Sequence, residues 1–312
     1  MLPSVAALVI NWNGLEDTRA CVASLLAASY GNTRVCVVDN GSETDEAAIL
    51  AREFAGIDVL RLHENSGYAG AVNAGVRWAR SAGVDYLCML NNDTTVERDV
   101  FDVLVSRAQH IGAPTILAPM ILSPDGMVWS AGGRLRWPDV AGEHVGIGEE
   151  PEAHMVGGPV QWASGCALFT SVSAFEQAGP LDERLFLYLE DVEWCLRARG
   201  RGVAIHYVPE ARIRHGVTKT IRRIDPRITR YYAYRNFYLV GFRHSSPIWK
   251  GWFAAHLGFT LAKAAARNAV SPSYRADSYY NARTRALLAA LSGRSGKAPY
   301  EHRLDLAQQV TA

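Results

Sequence analysis

Asp85-Tyr-Leu-Cys-Met-Leu-Asn91-Asn92-Asp93 is an apolar run too short for most helices, and a polar cluster cuts it off. Such a run reads as a buried parallel strand that delivers a carboxylate to the edge of a sheet. In open α/β sheets, ligands bind outside the carboxyl ends of the strands. A carboxylate at Asp93 then suits the hard divalent cation that accompanies a diphosphate. The alternative is that Asp93 caps a following helix, which Thr94, Thr95 and Glu97 would help to start.

Outward from this strand, the first half of the chain alternates strand and helix patterns. Residues 5–10 are continuously apolar, and residues 15–28 carry Cys21, Leu25 and Leu26 at helical spacing. A second strand at 34–38 ends in Asp39-Asn40-Gly41-Ser42. A helix at 45–54, a strand at 59–62, a helix from about 68 to 81 and another near 97–110 complete the series. Repeated strand–helix units predict a parallel sheet with helices on both faces. The pattern changes after 116–122, where residues 130–158, rich in Gly, Pro, Trp and charge, read as a long functional loop or small insertion. Residues 161–170 read as a strand kinked at Gly165, 172–178 as a short helix, 190–199 as a helix stopped by Gly200, and 203–208 as a strand. From about Pro226 the chain is mostly helical, with breaks at Ser245-Ser246-Pro247 and Ser271-Pro272.

Composition narrows the class. Lys+Arg 32 against Asp+Glu 31 leaves a net charge of +1, so no bulk field points to nucleic acid. The five cysteines form no Cys-x-x-Cys pair and sit in or beside apolar stretches, as small buried hydrophobes of a reducing cytosol do. Residues 5–10 are too short for a signal-peptide core, and the longest apolar candidate, 248–270, is interrupted by Lys250, His256, Lys263 and Arg267.

Three strands end in polar residues on what should be one edge: Asn11 and Asn13, Asp39, and Asp93. Asp39 suits the N–H of a pyrimidine or ribose hydroxyls, or it is a turn residue of Asp-Asn-Gly-Ser. The small residues from Asn65 through Gly70 and Asn73 to Gly75 open a helix. They either let a ligand approach the backbone or let the helix sit close on the sheet. Glu190, Asp191 and Glu193 gather at a helix start directly after the apolar Leu185-Phe-Leu-Tyr-Leu189. Acids there suit the helix dipole, and Glu193 with Arg197 makes an i,i+4 pair. A carboxylate raised against an apolar wall is also what a general base requires. His215, just after a strand, is either a solvated loop histidine or a partner that completes an oxygen and nitrogen site with Asp93.

Taken together, these segments resemble inverting glycosyltransferase family two, on the nucleotide-sugar-binding GT-A fold, and within it the rhamnosyltransferase-like branch. The similarity runs from about residue 5 to residue 216 and rests on Val9-Ile-Asn11-Trp-Asn13-Gly14, Val37-Val-Asp39-Asn-Gly-Ser42, Asn65-Ser-Gly-Tyr-Ala-Gly70-Ala-Val-Asn73, Leu90-Asn-Asn-Asp93, Glu190-Asp191-Val-Glu193-Trp194 and His215. The resemblance implies an α/β GT-A catalytic domain over 1–220, with a nucleotide-binding half at 1–125 and an acceptor half at 126–220, and a helical extension over 221–312. It implies a nucleotide-sugar site of Asn11, Asn13, Asp39, Asn65, Gly70, Asn73, Asn92 and Asp93. It also implies Mg2+ or Mn2+ on Asp93 and His215, and Asp191 as the base with Glu190 beside it. Many relatives carry two or three aspartates where this chain has Asn91-Asn92-Asp93, which implies weaker metal binding. The donor implied is dTDP-rhamnose or a UDP-sugar, and the acceptor a glycan, lipid-linked or small-molecule hydroxyl. A cytoplasmic location follows, with peripheral contact at the inner membrane face through the C-terminal helices and a homodimer as further expectations.

Two other classes fit less well. A sugar-nucleotide pyrophosphorylase needs a Gly-rich basic loop after the first strand, and Asn11-Trp-Asn-Gly14 is not one. A degenerate nucleotide-sugar-binding protein has no use for Glu190-Asp191 and His215. In the last third, Arg230-Tyr-Tyr-Ala-Tyr234-Arg235-Asn236-Phe-Tyr238 predicts a helix packed on the catalytic part with most of its Arg heads in water. Trp249, Trp252, Phe253, Leu257 and Leu261 make an apolar stripe that either faces the core or lies in a membrane interface, the core being the first expectation.

Overall fold

The computed structural model describes residues 2–216, 225–270 and 278–298. In chain order its first half runs β1 (Val5–Asn11), α1 (Leu15–Leu26), β2 (Thr33–Asp39), α2 (Glu46–Glu53), β3 (Asp58–Arg61), α3 (Gly67–Ser81), β4 (Tyr86–Asn91), β5 (Thr94–Val96), α4 (Val100–Ile111) and β6 (Thr115–Leu122). There follow β7 (Val128–Ser130), β8 (Gly133–Arg136), β9 (Asp139–His144), a 3-10 turn (Pro151–His154), β10 (Gly158–Pro159), β11 (Ala167–Ser171), α5 (Val172–Ala178), α6 (Glu190–Gly200) and β12 (Ala204–His215). The described C-terminal helices are α7 (Pro226–His244), α8 (Pro247–Val270) and α9 (Ser278–Leu291).

The main sheet has the order β10-β12-β6-β11-β4-β1-β2-β3. β4, β1, β2 and β3 are parallel, as are β6 and β12, and β11 lies antiparallel between the two blocks. The central strand β1 is buried along its whole length. Ala6, Leu8 and Ile10 face one apolar cluster with Val72 and Trp194, whereas Val5, Ala7 and Val9 face a second with Leu25 and Phe101. Burial on both faces removes the polar alternation of a half-solvated strand, so the run is continuously apolar. Gly75 lets α3 settle onto this sheet: a Cβ there would sit 3.1 Å from Val38 and 3.2 Å from Leu8. The packing reading of the small-residue run therefore holds at this position.

Several expectations are corrected. Asp93 does not cap a helix; Asn92 and Asp93 form a tight turn into β5, and α4 begins only at Val100 behind Asp99. Asp93 is followed by a strand because residues 94–96 find a ladder partner in β12, and pairing outcompetes the local capping signal. The strand expected over 161–170 starts at Ala167, with Trp162 bridged to Gly133. The strand expected to stop at 208 runs to His215 through an irregularity between Val208 and Arg212, so His215 ends a strand instead of lying in a loop. Residues 130–158 hold the β8–β9 hairpin. Arg235 is also not in water: it is only 1% exposed.

The stripe on α8 faces inward. Phe253 and Leu257 are buried with Tyr238 and Leu185, and Trp249, Trp252 and Leu261 pack against them, while Ile248 and Phe259 are exposed on the other face. No helix among the described residues is long and apolar enough to cross a membrane. The expected boundary at 220–221 and the break at Ser271-Pro272 lie outside the described residues.

Gly67 opens α3 at φ +75, where the carbonyl of Phe186 receives the Tyr68 N–H at 2.8 Å and a Cβ on Gly67 would overlap that carbonyl. A Gly67→Ala variant combines positive-φ strain with a backbone clash and is expected to lose about 3 kcal/mol in urea unfolding. A wild-type midpoint would mean that this approach is looser than described.

Candidate active site

The carboxyl ends of β1, β2 and β4 are joined through Asn11, which is fully buried. Its amide nitrogen donates to Glu46 Oε2 at 2.8 Å and Asp39 Oδ1 at 3.3 Å. Its amide oxygen accepts from Thr18 Oγ1 at 2.8 Å and Asn92 Nδ2 at 3.2 Å. Asn92 also donates to the Gly14 carbonyl at 3.2 Å, and any Cβ on Gly14 would overlap the Asn92 amide. Asn73 lies elsewhere: it grips Leu181 through that residue's backbone oxygen and nitrogen, both at 3.0 Å, and reaches Glu183 at 2.9 Å. The amides of Asn11, Asn73 and Asn92 are thus engaged inside the protein.

Asp39 differs. Its Oδ1 accepts from Ser42, while Oδ2 is buried without a hydrogen-bond partner among the described residues, with Arg61 Nε 3.9 Å away. Burial raises its pKa, and the Ser42 hydrogen bonds oppose the rise. A buried acceptor with one vacant oxygen suits a ligand N–H or hydroxyl. Around it, Asn13 accepts from Glu43 N at 2.8 Å, and Asn65 accepts from Gly67 N at 2.8 Å. Asn40, absent from the sequence expectations, ties β2 to α3 by accepting from Ser66 N and Oγ at 2.9 Å. A Cβ on Gly70 would press on Ser66, 2.6 Å from its Oγ, so this glycine too serves packing.

The β5–β12 pairing brings His215 Nε2 within 3.2 Å of Asp93 Oδ1, and both residues are buried. The edge of Trp129 lies against the His215 ring at 4.8 Å, and His144 sits between Trp129 and Trp162 at 4.2 and 4.8 Å. Burial, then the neighbouring His215, pushes His144 down to about 4. Of this aromatic wall, His144 lies in the 130–158 segment expected as a loop or small insertion, and Trp129 and Trp162 flank it. One carboxylate and one imidazole are donors of the kind that would hold a divalent cation, which would supply positive charge to a diphosphate. No group of three His, Cys, Asp or Glu suited to a metal occurs among the described residues.

Glu190 and Asp191 form the first turn of α6. Asp191 Oδ2 accepts from Gly165 N at 2.8 Å and Oδ1 from Val192 N at 2.7 Å. Burial raises Asp191 and these backbone bonds restrain the rise. Glu190 is pushed well above the usual range by burial and then by the charge of Asp191, and its Oε2 has no hydrogen-bond partner among the described residues. Gly165 leaves no room for a side chain: a Cβ would stand 3.2 Å from the Tyr68 ring and 3.3 Å from Asp191 Cβ. The Tyr68 hydroxyl donates to the Gly165 carbonyl. Cys166, next in the chain, has its thiol pKa raised first by burial and then by the charges of Asp93 and Asp191. The Cys166 carbonyl accepts from Asn91 N at 2.9 Å and the preceding Gly165 N donates to Asp191, so the turn at 165–166 touches both the chain leading to Asp93 and the Asp191 carboxylate, and Asp39 is linked to the same rim through Asn11 and Asn92.

Comparison with known proteins agrees with this geometry. The family profile for Glycosyl transferase family 2 matches residues 7–164. The chain belongs to glycosyl transferase family 2. Among curated members, it is 29% identical over 265 residues to N-acetylglucosaminyl-diphospho-decaprenol L-rhamnosyltransferase of Mycobacterium tuberculosis, covering 77% of this chain and 83% of that one. It is 24% identical over 260 residues to dTDP-rhamnosyl transferase RfbF of Shigella flexneri, covering 80% and 83%. Crystal structures of GalNAc-T7 with UDP, GalNAc and Mn2+ (TM-score 0.56, 16% identity, 69% of this chain and 44% of that one) and of S. aureus TarS 1-349 (TM-score 0.53, 12% identity, 92% and 80%) share the fold. The family-two resemblance, the GT-A fold and a glycosyltransferase identity are thus borne out.

Glu193, the third acid of α6, is wholly buried and has a structural role. It accepts from Arg197 at 3.0 Å and its Oε1 lies 3.0 Å from His244 Nε2. Burial alone would raise its pKa, but the bonds from His244 and Arg197 outweigh burial and bring it to about 2. A depressed folded-state pKa stabilises above the unfolded value and the gain is lost as pH falls towards 2. Glu193→Gln is expected to cost about 3 kcal/mol at pH 7 by denaturant unfolding. The gap from wild type should shrink in the acid range, and a pH-independent gap would exclude the linkage.

Proposed function

We propose that this glycosyltransferase moves L-rhamnose from dTDP-L-rhamnose, with inversion, to a hydroxyl of a lipid-linked glycan. The carrying observation is the turn at Gly165-Cys166, which bonds Asp191 on one side and the end of the strand that bears Asp93 on the other, with His215 paired to Asp93. The names of the two rhamnosyltransferase relatives support the sugar, the nucleotide and the class of acceptor.

In this reading the vacant Oδ2 of Asp39 accepts the ring N–H of the pyrimidine, and Asn13 and Asn65 shape the adjoining loops. Asp93 and His215 would hold a divalent cation, which when bound neutralises charge on the departing diphosphate. The acceptor hydroxyl attacks the anomeric carbon from the face opposite the diphosphate. The glycosidic bond to the diphosphate breaks through an oxocarbenium-like transition state, and the hydroxyl proton passes to Asp191. A single base suffices for inversion. The N–H groups of Gly165 and Val192 orient Asp191, and burial and the Asp191 charge both oppose ionisation of Glu190 beside it.

Asp191→Asn is expected to retain dTDP-L-rhamnose binding by calorimetry and lose transfer by about 10²- to 10⁴-fold. Normal turnover by that variant would refute the base. Because Asp191 must be ionised and burial raises its pKa, turnover should climb with pH along a limb above the ordinary aspartate value of about 3.9. Asp93→Ala should weaken donor binding and abolish the response to added Mn2+. Undiminished wild-type activity in excess chelator would argue against a metal-assisted reaction.

A further inference from the structure

The segment that presents the acidic pair has an unusual backbone. Phe186, Tyr188 and Leu189 lie at φ 64, 67 and 65, three non-glycine residues in the left-handed region within four positions. Residues with a Cβ persist there only where their surroundings impose it. Leu189 is also the N-cap of α6 and makes no side-chain capping bond. The backbone at 186–189 therefore sets the direction in which the main chain enters α6 at Glu190 and Asp191.

What imposes this backbone comes from α7. Asn236, fully buried, points its amide nitrogen at three carbonyls of the segment, those of Leu185 at 2.9 Å, Leu187 at 2.9 Å and Tyr188 at 2.7 Å. Arg235 orients that amide by donating from Nε to Asn236 Oδ1 at 2.9 Å. Its Nη2 donates to the carbonyls of Leu185 at 2.7 Å and Arg184 at 3.2 Å. The guanidinium lies over the rings of Tyr231 and Tyr232, and Phe186 stacks on Tyr232 at 5.1 Å. From the other side, Phe186 O receives the Tyr68 N–H. The far end of α7 grips the chain on both sides of the acidic pair, with His244 on Glu193 after it and Arg243 on Asp182 before it.

A buried cation held by carbonyls costs desolvation that a plain apolar contact between helices would avoid. Two of its carbonyl acceptors, Arg184 and Leu185, lie in the segment that leads into the acidic pair, and the third is Gly296. We infer that Asn236, oriented by Arg235, is a positioning residue for the Asp191 base, locking the 186–189 backbone so that the first turn of α6 aims its carboxylate into the site. The inference rests on the assignment of Asp191 as the base. Neither Arg235 nor Asn236 touches the reacting atoms in this account; both act through the carbonyls they hold. Displacing a catalytic group by about 1 Å costs on the order of 10²-fold in rate.

The test uses the full chain with dTDP-L-rhamnose as donor and a short-chain prenyl-diphosphate N-acetylglucosamine as acceptor, reading kcat by dTDP release and donor Kd by calorimetry. Asn236→Ala is expected to lower kcat by about 10²-fold while donor Kd stays within about 3-fold of wild type. Arg235→Lys keeps the charge but loses the fork and should lower kcat by about 10-fold with the same unchanged Kd. If Asn236→Ala does not fold, Arg235→Lys is read by the same criterion. A folded variant with wild-type kcat overturns the inference, as does a loss of kcat matched by loss of donor binding, which marks a general structural role. Asp191→Asn is measured in parallel. If it retains turnover, the base assignment falls and the positioning role with it; if it is inactive while Asn236→Ala turns over normally, only the positioning role falls.

Discussion

The hydrogen bonds of Asn11 are the constraint on which the donor side depends. Three strand ends must meet at one rim, and each brings polar groups that water no longer solvates. Asn11 supplies a donor to Asp39 and Glu46 and an acceptor to Thr18 and Asn92, so one amide satisfies the ends of β1, β2 and β4 together. A buried network is stable only when its members are satisfied. Here nearly all are, and Asp39 Oδ2 stands out as the exception among the described residues of that hub. The vacancy is informative because its surroundings are so complete.

Three acids within one turn of α6 show how environment assigns roles. Glu193 lies between Arg197 and His244 and is held ionised. Asp191 accepts two backbone N–H bonds, which favour its charge against burial. Glu190 has the charge of Asp191 beside it and no compensating cation, and stays neutral longest. The sequence Glu-Asp-Val-Glu does not distinguish them. The difference comes from α7 and from the turn at Gly165, which are distant in the chain.

That contrast explains what was legible beforehand. Strand ends at Asn11, Asp39 and Asp93 could be read because apolar runs stop abruptly there, and stopping is local information. The Glu193–Arg197 pair was readable for the same reason. The helix expected near 97–110 is present as α4, but the alternative reading of Asp93 as its cap fails because Thr94–Val96 pairs with β12, a partner no local rule sees. Arg235 was expected in water since arginines on amphipathic helices usually are. It is buried because it bonds the carbonyls of Arg184, Leu185 and Gly296, acceptors that chain segments distant in sequence bring to it. The aromatic wall of Trp129, His144 and Trp162 depended on folding a Gly-rich stretch into a hairpin, where periodicity is weakest.

The reversed strand β11 carries a mechanical implication. Because it runs against both neighbours, it begins at the rim where they end, and the turn bearing Gly165 emerges among the donor-side groups without a crossover. Moving that turn would strip a strand from the middle of the sheet. The anchor of Asp191 is accordingly as stiff as the sheet, and any opening that admits or releases substrate must come from segments not bound into it.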